Sequence, residues 1–137
     1  MSSKRTALEV VQEFLHYDSQ LDADAAATLL SDEYVDEMTG REPLHGKAKV
    51  TAESKRYFAA FPDYHRDYLH LLESGDFVTA HWRMTGTNTA SLTAELPATG
   101  KTINLPGCTI FEVRDDLIVH SWLYVDRMTM FGQLGLV

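Results

Sequence analysis

DYHRDYLHLLESGDFVTAHWRMTGT, residues 63–87, sets the fold class of this chain. Its first half alternates, Ser74-Gly75-Asp76 supplies turn chemistry, and Phe77–Thr87 alternates again, which is the pattern of a β-hairpin. On the second half Val78, Ala80, Trp82 and Met84 form one apolar face, while His81 belongs to the other. Pro62 stands immediately before this region and stops the helix that precedes it.

Upstream the apolar period is helical. Leu8, Val11, Phe14 and Leu15 recur at helix spacing between Thr6 and Gln20, and Tyr17 falls three residues after Phe14. Asp22 or Asp24 is placed to cap a short alanine-rich helix ending near Ser31. The stretch 33–38 (EYVDEM) is a short strand and 39–46 (TGREPLHG) reads as a loop. A third helix is predicted over 47–61, burying Val50, Tyr57, Phe58 and Phe61. Downstream, residues 89–100 read as a loop or arm, and KTINLPGCTIFEV (101–113) and LIVHSWLYVD (117–126) are two more strands across Arg114-Asp115-Asp116. Helices first and antiparallel strands after them predict an α+β fold, a curved antiparallel sheet with helices packed on it.

Composition narrows the function classes. The 137 residues predict one domain spanning 1–137, with 45% hydrophobic and 23% charged residues, ordinary for a globular protein. Lys+Arg 12 against Asp+Glu 20 gives a net charge of −8, which argues against nucleic acid or an anionic membrane as partner. Cys108 alone excludes an internal disulfide and any multi-cysteine metal site, and its apolar surroundings suit a buried, inert thiol. The N-terminal stretch carries no continuous apolar run, so no secretory signal or membrane span is expected and a cytoplasmic protein is predicted. The six histidines have no paired ligand spacing, and neither a phosphate loop nor a nucleophile elbow occurs, so no metal or cofactor is expected.

The closing segment, 120–135 (HSWLYVDRMTMFGQLG), carries the most chemistry. With period two, Ser121, Leu123 and Val125 share one face and His120, Trp122, Tyr124 and Asp126 the other. An aspartate on an aromatic face is a candidate desolvated acid/base; at the start of a helix it is equally a candidate N-cap.

Several motifs together resemble the SnoaL-like polyketide cyclase family of the nuclear transport factor 2-like superfamily. They are AAFPDY (59–64), HWRMTGTNT (81–89), LPATGKTI (96–103) and the last hairpin, 110–135. The resemblance covers nearly the whole chain and implies a cone-shaped curved sheet, with three N-terminal helices on its concave side sealing a hollow cone. It implies a pocket lined by His120, Trp122, Tyr124 and Asp126, with Asp126 matching the acid/base of an intramolecular aldol closure. Phe14, Tyr17, Glu37, His81, Trp82, Trp122 and Tyr124 are then expected to bind substrate. Tyr17 is a candidate hydrogen-bond donor to an enolate, and only one of His81 and Trp82 can face inward. Asn88 stands where the family commonly has histidine after Gly-Thr, and Glu37 stands beside Asp36 where another often occurs.

The expected function is a cofactor-independent cyclase or isomerase acting on a hydrophobic, carbonyl-containing small molecule. An epoxide hydrolase or dehydratase of the same fold, using paired carboxylates and a water, is the enzyme alternative. A non-catalytic ligand-binding or dimerisation module is the other. Alternation of apolar residues on both strand faces predicts a homodimer or higher homo-oligomer.

Overall fold

The computed structural model describes residues 5–137. Its elements run α1 (Ala7–Ser19), α2 (Ala23–Ala27), β1 (Leu30–Met38), β2 (Arg41–His45), α3 (Lys47–Ala60), β3 (His65–Ser74), β4 (Phe77–Thr87), β5 (Thr102–Arg114), β6 (Leu117–Val125) and α4 (Arg127–Gln133). The helix boundaries follow from local chemistry. Thr6 and Glu9 close a reciprocal capping box at the start of α1, whose Val10, Val11 and Leu15 are buried. Asp22 caps α2 by accepting from the Ala25 amide. That helix stops at Ala27, short of the expected Ser31, because β1 already begins at Leu30.

The six strands form one curved, unclosed sheet in the order β2-β1-β6-β5-β4-β3. The neighbours are antiparallel, as expected, except β1 and β6, which pair in parallel. A correction concerns 41–45, expected as loop. It forms β2, since the positive φ of Gly40 turns the chain back onto β1. The β3–β4 hairpin pairs His65–Ser74 with Phe77–Thr85 as its alternation requires. The β5–β6 turn places both Asp115 and Asp116 at positive φ, 52° and 63°, matching the twist of the strands it joins.

Curvature comes from extra residues in the ladders. In β3 the register slips between Tyr68 and His70, expelling Leu69, which is 49% exposed. In β6 it slips between Ile118 and His120, with Val119 as the extra residue. Inside the curve Val78, Ala80, Trp82 and Met84 of β4 meet Ile103, Leu105, Phe111 and Val113 of β5 and the buried face of α1. The expected helices, α1 to α3, precede the long strands and pack on this concave side.

Candidate functional site

The concave side encloses a cavity of about 410 Å³, walled by α1, α3, the sheet, the 92–96 arm and α4. Its apolar lining includes Phe14, Tyr57, Trp82, Met84 and Phe111, with Phe14 and Phe111 edge to face at 5.7 Å. Trp82 is fully buried and donates its Nε1–H to Thr109 Oγ1 (3.0 Å). Besides Glu53 and Arg127, two clusters of polar side chains interrupt this lining.

The first is a chain of hydrogen bonds on β1 and β6. Ser121 Oγ donates to Asp36 Oδ1 (2.8 Å), and Arg41 Nη2 holds Asp36 Oδ2 (2.9 Å). Ser121 has one proton to give, so the Tyr34 hydroxyl, 2.5 Å from Ser121 Oγ, is the donor of that bond. Burial beside the Asp36 carboxylate pushes the Tyr34 phenol far above its usual range and keeps it neutral.

The second group joins α1 and β3. Asp18 is half-buried at the end of α1, one helical turn past Phe14, and lines the same cavity. Burial pushes its carboxyl pKa up, against the pull of Arg66. The Arg66 guanidinium lies over the Trp82 ring, 4.0 Å from its centroid, and 5.3 Å from that of Tyr64. Arg66 Nε is buried without a hydrogen-bond partner, and no carboxylate of the described residues forms a salt bridge with this side chain. Tyr34, Asp36, Arg41 and Ser121 line the same cavity as Asp18, Tyr64 and Arg66, so the two polar groups share one compartment.

Several expected site residues stand elsewhere. Asp126 is exposed and caps α4, accepting from the Thr129 amide (3.0 Å) and hydroxyl (2.7 Å). These bonds hold its carboxyl below the usual range, the reverse of the desolvated acid expected, and it is not among the cavity-lining residues. The parity of β6 is inverted relative to expectation. Ser121, Leu123 and Val125 line the cavity, whereas Trp122 stacks on His120 (4.0 Å) outside and Tyr124 is 49% exposed.

Alternation likewise turns Asp36 inward and Glu37 outward, where Glu37 meets His120 Nε2 at 2.5 Å. Of the β4 pair Trp82 faces the cavity; His81 turns out onto His70, with their Nδ1 atoms 3.1 Å apart. Phe14 lines the cavity as expected, but Tyr17 packs beside it and bonds Glu13 (3.3 Å) without reaching the lining. Asn88 has a structural task. Its Oδ1 accepts from Thr99 and its Nδ2 donates to the Ala90 carbonyl, tying down the arm that brings Leu92 and Leu96 over the cavity.

Asp18, Arg66, Tyr34, Arg41 and Ser121 are the residues that sequence reasoning missed. Two signals pointed to Asp18 and Arg66. Asp18 shares a helix face with Phe14, four residues earlier, and Arg66 has the parity of Tyr64 and Tyr68, all on a strand half of which must be buried.

A family model described as SnoaL-like polyketide cyclase matches residues 5–134. No curated protein matches the chain by sequence. Among solved structures, one described as a SnoaL-like polyketide cyclase from Jannaschia sp. CCS1 superposes with a TM-score of 0.87 at 15% identity, covering 99% of each chain. TsrD from Streptomyces laurentii gives 0.82 at 21% identity, covering 99% of this chain and 100% of that one. An LEH-like epoxide hydrolase from M. tuberculosis gives 0.73 at 21% identity, covering 93% and 88%.

Proposed function

Because the chain belongs to the SnoaL-like polyketide cyclase family, we propose that it is a cofactor-independent acid/base enzyme acting on a hydrophobic, carbonyl-containing small molecule. The observation that carries this reading is the Asp18 carboxyl, desolvated in an apolar cavity beside the Arg66 cation. A carboxylate with a raised pKa is a stronger base than one in water. It removes a proton from the carbon next to the carbonyl, and the negative charge that develops on oxygen faces Arg66. The enolate carbon then attacks a second carbonyl, with Asp18 returning the proton to the new alkoxide, or takes the proton back at another carbon. The first course is aldol cyclisation and the second is isomerisation. In this reading the acid/base role passes from Asp126 to Asp18, with Asp36, Ser121, Tyr34 and Arg41 shaping the polar wall.

The test is proton exchange rather than turnover of one substrate. Wild-type protein is incubated with 2-tetralone in D2O, and loss of the α-proton signals is followed by NMR. Catalysed exchange that disappears in Asp18→Asn supports the reading. Exchange unchanged in that variant refutes it.

One observation favours a second reading, hydrolytic opening of an epoxide. Asp18 and Asp36 place two carboxylates in one cavity, as water activation opposite an acid requires. Incorporation of 18O from labelled water into a diol made from a hydrophobic epoxide would select it.

The polar outer face of the sheet is broken by Leu72 (63% exposed), Phe77 and Tyr124, and we assign this face to a homodimer contact.

A further inference from the structure

Three carboxylates (Asp18, Asp36, Glu53) and three guanidiniums (Arg41, Arg66, Arg127) line the cavity, but not all of them pair with one another. Asp36 is paired with Arg41, and Glu53 with Arg56. Arg127 is engaged with the Gly40 carbonyl (2.6 Å) and the Phe131 ring. Asp18 and Arg66 remain, and they form no salt bridge within 4.0 Å; burial outweighs the attraction of Arg66 on the Asp18 carboxyl. Guanidinium cannot shed its proton, so its charge persists whatever the state of Asp18. When Asp18 is protonated, this end of the cavity holds a full positive charge in an apolar wall. A buried charge without a contact counter-ion is costly, and an anion arriving from outside relieves that cost.

The form of the anion follows from the form of the donor. A guanidinium is a flat fork whose parallel N–H groups suit two oxygens in one plane. Here the fork lies against the Trp82 ring, so a ligand meeting its edge is steered into the plane of an aromatic wall. Phe14, Tyr57 and Phe111 continue that wall and leave about 410 Å³ for an apolar body.

We propose that Arg66 makes this cavity a receptor for flat hydrophobic anions bearing two coplanar oxygens, and that the substrate binds as the enolate of a 1,3-dicarbonyl or as a carboxylate. This deepens the reading above, since it rests on the cavity being the substrate site. It adds that a ligand arriving as its anion meets Arg66 with Asp18 protonated, so that Asp18 then acts as the acid that returns a proton, whereas proton removal by Asp18 applies to a ligand that arrives neutral.

The test uses benzoylacetone, whose enolate absorbs at longer wavelength than its neutral form. Titrated with wild-type protein in excess, its acid pKa should fall by about 1–3 units, the effect of one opposite charge at close range. An unchanged or raised pKa, or no binding, overturns the proposal. Arg66→Met should abolish the fall and Arg66→Lys, which keeps the charge but loses the flat fork, should retain part of it. A folded Arg66→Met protein, checked by circular dichroism, that still lowers the pKa overturns the assignment to Arg66.

Competition separates the two sources of the anion. Displacement of benzoylacetone by 2-naphthoate but not by 2-naphthamide extends the site to carboxylates, whereas failure of both restricts it to enolates, and either supports the proposal. Equal displacement by both overturns it. Asp18→Asn keeps the pKa effect if the anion site is Arg66 alone, while losing proton exchange, so the two readings can fail separately.

Discussion

Gly107 lies directly beneath the Trp82 indole: a Cβ at that glycine would overlap the ring. The two residues are register partners on β5 and β4, and the bare backbone of one makes the slot for the other. Since Arg66 stacks on the same indole, this contact sets the position of the cavity's cation. Gly107→Ala is therefore expected to cost about 1–3 kcal/mol by overpacking. Urea denaturation measures that cost, and the pKa fall of bound benzoylacetone should shrink with it. A variant of wild-type stability would show that the indole has room to move.

Asp18→Asn should reduce α-proton exchange by about 10²–10⁴-fold, the usual worth of a positioned acid/base. The same substitution should stabilise the fold at neutral pH. The Asp18 pKa is raised in the folded state, so the native protein binds more protons than the unfolded chain above the ordinary aspartate pKa, and wild-type stability falls as pH rises through that window. Thermal melts of the two proteins from pH 4 to 8 should diverge progressively, because the uncharged amide of the variant carries no such penalty. Parallel curves would place the carboxyl in water.

Asp126 makes the opposite prediction. Its pKa is lowered by the cap bonds, so its contribution is present above the ordinary carboxylate pKa and is lost as pH falls through the folded value. Asp126→Ala should lower Tm, whereas Asp126→Asn, with an equally good capping residue, should lower it less. Both should keep exchange activity. An inactive Asp126→Asn protein with an unchanged Tm would return the chemistry to Asp126.

Ser121→Ala breaks a chain in which one hydroxyl serves two partners. Tyr34 loses its acceptor and Asp36 loses a donor, both on the cavity wall. An unsatisfied buried polar group costs about 1–3 kcal/mol, and chemical denaturation should show a loss in that range. Tyr34→Phe in the Ser121→Ala background should then cost little more, because the orphaned hydroxyl is already gone from the network.

The outer-face assignment predicts a dimer by sedimentation at protein concentrations on the order of ten micromolar. Tyr124→Glu and Leu72→Glu should shift it to monomer. A monomeric wild-type protein would remove the assignment.

Much of the architecture was legible in the chain. Thr6 with Glu9, Asp22, Pro62 and the two hairpin turns act over a few residues, so their consequences can be read locally. The motifs from Phe61 onward carried the family in their order and spacing. The site was less legible, and β6 shows why. Period-two alternation separates Ser121, Leu123 and Val125 from His120, Trp122 and Tyr124, and that division holds in the structure. Which set faces inward is not a property of the strand. The bulkier, more aromatic set was expected inside, yet it lies outside, because pairing with β1 on one side and β5 on the other directs Ser121 to the concave face.

The α+β class, the helix caps, the hairpins and the division of each strand into two faces were already present in the order of residues, since these depend on neighbours within a turn or a few positions. Which face encloses the cavity was settled by the assembled sheet and helices. The same assembly brought Asp18 of α1 to Arg66 of β3 and Asp36 of β1 to Ser121 of β6, because desolvation and charge depend on neighbours gathered across 48 and 85 positions of chain.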